Sequence, residues 1–164
     1  MRLHASDDEG TSWFLTPGER NLLLTLFSRP IDPRHPPRLS RTSEALEEQC
    51  QSDLAGELEN HRSEVRSRLV VLLGAASMAT TTTQTPSGTR EDSGWILRLT
   101  PEDRESFLQA LNELRLGAWE QLGRPDPPEV PADLPLNSPN TLHWWNLEIA
   151  SRFQGRLISE ESLE

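Results

Sequence analysis

The chain has 164 residues, of which 34% are apolar and 26% charged, with a formal net charge of −10 and a pI near 4.9. That length suits a single domain over 1–160 with a modest core, and the acidity repels phosphate backbones and anionic lipid, so neither nucleic acid nor membrane is an expected partner. Apart from four histidines every basic residue is arginine, which excludes lysine Schiff-base chemistry, and the single cysteine, Cys50, excludes an internal disulfide and fits a reducing, cytoplasmic setting.

The first segment, RLHASDDEGTSWFLT, reads as a hairpin turning at Asp7–Gly10, with Trp13 and Leu15 sharing one face of its second strand. TPGERNLLLTLF then starts a helix: Thr16 is a suitable N-cap, Pro17 fits the first helical position and Glu19 completes a capping box. The proline-rich RPIDPRHPPR ends it and predicts a stiff loop over 29–42. From Ser43 to about Ala79, Leu46, Cys50, Leu54, Leu58, His61, Val65, Leu69, Leu72 and Ala76 recur at helical spacing, as one long helix or two broken near Asn60. Glu64 and Arg68 are spaced as a surface pair.

The Thr-rich stretch 80–94 predicts a polar loop, and WILRL, Trp95–Leu99, a strand. LTPEDRESFLQALNELRLGAWEQLG follows as an amphipathic helix capped by Thr100, Pro101 and Asp103. A second proline-rich loop is predicted over 124–139, then a last helix from Asn140 to about Ile158. SWFLTPGERNLLLTLF and GWILRLTPEDRESFLQAL echo one another, which suggests two strand–cap–helix units packed side by side. The predicted fold is therefore mainly α, of α+β type: about four to five helices with a small antiparallel sheet of two or three short strands.

The chemically interesting residue is Arg115. On a helical wheel of about 100° per residue it falls inside the apolar arc of Phe107, Leu111, Leu114, Ala118 and Leu122, widened by Leu108 and Trp119. An unpaired guanidinium there would cost several kcal/mol, so it must be paired, snorkel to an edge, or face a wet pocket. The wheel of the last helix gives a core arc of Leu142, Trp145, Ile149, Phe153 and Leu157, with Asn146 inside it and Trp144 turned outward as a candidate interface anchor. The expectation is a polar knot of Arg115, Asn112, Asn146 and a carboxylate, Glu57 or a neighbour on the long helix. The knot either fixes helix register or lines a recognition pocket; in the latter case Asn112, Glu113, Arg115, Asn146 and Trp144 are the candidate binding residues.

No phosphate-binding glycine loop or nucleophile elbow is present, and the four histidines lack metal-ligand spacing, so no cofactor or metal is expected. His61 is expected to be half-buried and His143 exposed. Cys50 has acidic neighbours, Glu47 and Glu48, which suit a buried structural thiol better than a nucleophile.

LNELRLGAWEQLG, Leu111–Gly123, resembles the LND-x-RL…RLG signature of the bacterial domain of unknown function family number two-thousand-and-seventeen, with Glu113 where the family has aspartate. FLTPGERNLLLTL, the long central helix, the strand before LTPEDRESFLQAL and the aromatic closing helix stand in similar order. The resemblance implies a mostly helical, cytoplasmic bacterial protein without established activity, whose genes often lie near that of ClpS, the adaptor of the Clp protease. Three functions are compatible with this: a non-enzymatic interaction or regulatory protein, acting on a protein partner or as a homo-oligomer and linked to regulated proteolysis; a small-anion binder or enzyme built around Arg115; or a transcriptional regulator.

Overall fold

The computed structural model describes residues 1–29, 44–85, 88–126, 137–138 and 140–159. The expected loops 29–42 and 124–139 lie almost wholly outside these residues, as does the side chain of Cys50. The chain runs β1 (Arg2–Asp7), β2 (Gly10–Leu15), α1 (Pro17–Ser28), α2 (Glu44–Ala75), β3 (Ser77–Thr85), β4 (Gly88–Leu99), α3 (Pro101–Gln121) and α4 (Thr141–Ser159). The fold is mainly α with one small sheet, as expected. Its four strands are antiparallel in the order β1-β2-β4-β3.

The fourth strand arises where a loop was expected. Residues 80–85 and 88–94 make up most of β3 and β4, which pair from Ser77↔Ile96 to Thr85↔Gly88 without a shift in register. The stretch is polar in composition, but threonine is β-branched and favours the extended backbone. Between Ser43 and Ala79 the chain forms one helix, α2, which stops at Ala75 because β3 begins two residues later. Among its described side chains those of the C-terminal part enter the core: Leu69 and Leu73 are fully buried, whereas Leu58 and His61 are exposed. His143, conversely, is half-buried.

Both helix starts form as expected. Thr16 and Thr100 accept from the backbones of Glu19 and Asp103, whose carboxylates return the bond to the cap residue. The strands feeding them, β2 and β4, are neighbours in the sheet, so the two echoed units do pack side by side. Their helices meet at Phe27 and Phe107, edge to face with centroids 5.1 Å apart. Below them Trp13, Leu15, Leu97 and Leu99 project from the sheet into a core with Leu23, Leu69, Leu73, Leu111 and Leu157.

The opposite sheet face carries one buried ring. Phe14, which alternates with Trp13 and Leu15 along β2, is 3% exposed. Its ring lies across Gly94, where a Cβ would stand 2.6 Å from it, and the Arg2 guanidinium stacks 4.6 Å from its centre and donates to Thr81 Oγ1. The missing Cβ at Gly94 thus supplies the space that Phe14 fills.

Candidate functional site

The buried row of α4 is Trp144, Leu147, Ala150, Phe153 and Leu157. This rotates the helix away from the expected arc: Trp144 is 8% exposed, while Trp145 and Leu142 are 53% and 48% exposed. The bulkiest side chains of α4 do not by themselves mark its buried face. Ala150, fully buried, marks where α4 comes close to its neighbours, and it lies on the Trp144–Leu147 side. Trp144 and Leu147 join Ala118 in a satellite cluster, flanked by Trp119 and Leu122, which pins α4 to the end of α3.

With α4 rotated, the expected polar knot does not form. Arg115 is half-buried, and its Nη2 donates to Asn112 Oδ1 one turn back on its own helix at 2.9 Å. Neither Asn146 nor Glu57 pairs with it: Leu147 and Ser151 are what α4 presents to Arg115, and Glu57 is exposed on α2. Among the described residues no carboxylate pairs with Arg115, and its buried Nε has no hydrogen-bond partner. Glu113 points elsewhere and meets Arg62 Nε of α2 at 3.4 Å. Of the five candidate binding residues, then, the structure joins only Asn112 and Arg115.

What faces Arg115 is a cleft of about 500 Å³ between the C-terminal half of α3 and α4, lined by Leu116, Trp119, Pro125, Leu147 and Ser151 besides the charged Arg115, Arg124 and Asp126. The end of α3 shapes it. Gly123 N donates to Glu120 O and Arg124 N to Trp119 O, closing the helix as a Schellman turn, with Gly123 at the left-handed φ of 79° that this turn needs. Arg124 is also left-handed, at φ 61°, a conformation that costs a residue with a side chain about 1 kcal/mol or more. It is held there by Glu120 Oε1 at 3.5 Å and by the Trp119 ring, whose centre is 5.8 Å from the guanidinium carbon. Trp119 is fixed in turn by its indole Nε1, which donates to Pro125 O at 3.0 Å. The chain bends back over α3, and an aromatic plate, two guanidinium groups and an apolar floor come to share one opening.

Sequence reasoning had Trp119 as a flank of the core and did not single out Arg124, Asp126 or Ser151. Arg124 directly after Gly123 at a helix end was the available signal, since a Schellman turn folds the next residue back on the helix. Compared with protein-family models, curated proteins and solved structures, the chain matches none.

Three other charged groups are spent on structure. Burial alone would raise the pKa of Asp103, but donation from the Thr100 hydroxyl and amide and the nearby Arg68 guanidinium holds it below the usual carboxylate value. Arg68, expected to pair with Glu64, bridges α2 to α3 instead, with Nη2 2.6 Å from Asp103 and Nη1 2.8 Å from Glu102. Arg66, 7% exposed, bonds Glu59 at 2.7 Å and leaves Nη1 without a partner beside a groove lined by Ser28, Arg29 and Val70. Among the described residues no three His, Cys, Asp or Glu gather as metal ligands, and no helix is long and apolar enough to cross a membrane.

Proposed function

We propose that this protein is a non-enzymatic, regulatory binding protein whose α3–α4 cleft takes a carboxylate carried on an apolar body, such as the C-terminal residue of a partner chain presents. The observation that carries this reading is Arg115: a half-buried guanidinium with a buried, unpartnered Nε, aimed at a cleft and not at a carboxylate of its own helices. A ligand carboxylate would supply the missing acceptor in a charge-assisted bond. Leu116, Trp119, Pro125 and Leu147 offer it apolar surface, in a volume within the usual range for small-ligand sites. Asp126 on the rim and the net charge of −10 count against phosphate and other polyanions and leave a single negative charge as the better fit. The family resemblance of Leu111–Gly123 supports regulated proteolysis as the setting.

N-acetyl-leucine and its carboxamide differ only in the charge at issue. Titration of each, followed through the Trp119 indole N–H resonance, is expected to show binding of the acid and at least about tenfold weaker binding of the amide, as loss of a charged hydrogen bond implies. Arg115→Met should remove the difference and leave the fold intact, because no carboxylate is stranded by it. Equal shifts with acid and amide, or none with either, would overturn the assignment.

A further inference from the structure

The sheet has three stretches of open edge among the described residues, and two of them are protected against pairing with another strand. The outer edge, β1, breaks register between Leu3 and Ala5 and carries Arg2 and Asp7. The far half of β4, Gly88–Gly94, extends past the end of β2, which pairs only with Trp95–Leu99, and it carries Glu91 and Asp92. Bulges and charges of this kind are how folded proteins keep open edges from recruiting strands. β3 has neither. Its nine residues, SMATTTTQT, contain no charge, no proline and no glycine, and their register with β4 is unbroken. The two most exposed large apolar side chains of the described residues sit on this strand and on the helix turn feeding it: Met78 at 77% and Val71 at 69%.

We propose that β3 is a self-association edge, at which two copies of this chain pair β3 to β3, antiparallel, into one continuous eight-stranded sheet. The chemistry of the strand decides for a second copy. Two copies at −10 approach one another against net repulsion, to which the uncharged β3 adds nothing, and at the centre of the paired strands threonine opposes threonine, a favourable cross-strand pair. Full overlap of Ser77–Thr85 puts the two-fold axis at Thr81, so Thr80 of one copy faces Thr82 of the other, and Met78 faces Gln84. The paired length is about 30 Å at the usual rise per residue.

This register makes a charge test possible. Thr80 and Thr82 are exposed, so substitution there spares the core. In the T80E/T82E variant the facing positions are both acidic; in T80E/T82K they are of opposite sign. Sedimentation of the full chain over a range of concentrations is expected to show the parent moving from 18.5 kDa toward twice that mass, T80E/T82E staying monomeric, and T80E/T82K recovering the dimer. Hydrogen exchange of the parent gives a readout that needs no variant: the backbone amides of 77–85 should gain protection as concentration rises. A parent that stays monomeric at the highest concentration, a T80E/T82E variant as dimeric as the parent, or exchange in β3 independent of concentration would each overturn the proposal. So would capture of an unrelated extended peptide by β3 in preference to a second copy.

Discussion

Asp103→Ala tests the reciprocal cap that starts α3. Asp103 is 6% exposed, and its Oδ2 accepts from the Thr100 hydroxyl at 2.8 Å and the Thr100 amide at 3.3 Å. Its Oδ1 takes Arg68 Nη2 of α2 at 2.6 Å. Loss of the reciprocal cap at α3 costs about 1 kcal/mol, and loss of the charged acceptor for the Thr100 hydroxyl costs about another 1 kcal/mol. The Arg68 contact adds little, because that guanidinium is 45% exposed and can turn to water. The expected total of about 2 kcal/mol lowers the melting temperature of a chain this size by about 4–8 °C. Asp103→Asn keeps a neutral acceptor and should lose about half as much. Glu102→Ala, which removes the exposed partner of the same arginine, should cost nothing measurable. The pH dependence has a fixed sign. Asp103 titrates below its unfolded value of about 3.9, so its contribution is complete above that value and is lost as pH falls through the lower folded value. The deficit of Asp103→Asn in urea unfolding is therefore present at neutral pH and shrinks below about pH 4. An Asp103→Ala protein as stable as the parent, or a deficit that persists unchanged into acid, would refute the reasoning.

Gly94→Ala places a Cβ 2.3 Å from Leu15 O and 2.6 Å from the Phe14 ring, so the sheet must shift; a loss of about 3 kcal/mol in urea unfolding is expected. The adjacent tryptophans of α4 should separate cleanly: Trp144→Ala empties the satellite cluster at a cost of about 3 kcal/mol, whereas Trp145→Ser on the exposed side should stay within about 0.5 kcal/mol of the parent by thermal melting. Arg66→Met exchanges a buried guanidinium with an orphan Nη1 for an apolar side chain of similar length, but it takes the 2.7 Å partner from Glu59, whose Oε2 is itself buried without a hydrogen bond. Breaking one side of such a pair is destabilising, so its melting temperature should fall below that of the parent.

Local signals in this chain were legible because they depend on few residues. The Thr-Pro caps fixed both helix starts, and Asp7–Gly10 placed the first hairpin turn, where Gly10 also lies too close to Leu99 O for any Cβ. The failures have a common cause. Thr80–Thr83 looked like loop because threonine is polar, yet what decides its backbone is branching at Cβ and a partner strand to pair with, here β4. Leu142 and Trp145 are large and suggest core, yet the fully buried residues of α4 include Ala150, which hydrophobicity scarcely registers. That one rotation, of roughly 100° from Trp145 to Trp144, moved Asn146 away from Arg115 and put Leu147 and Ser151 in its place. The three outcomes open to Arg115 were a partner, an edge or a wet pocket, and the choice among them rested on the facing helix. Arg115 keeps Asn112 as its intramolecular partner and faces an opening floored by Leu116 and Leu147. A core that tolerates an arginine with an unmet donor does so at a cost in stability, and the opening beside Arg115 is where a bound carboxylate would offset that cost.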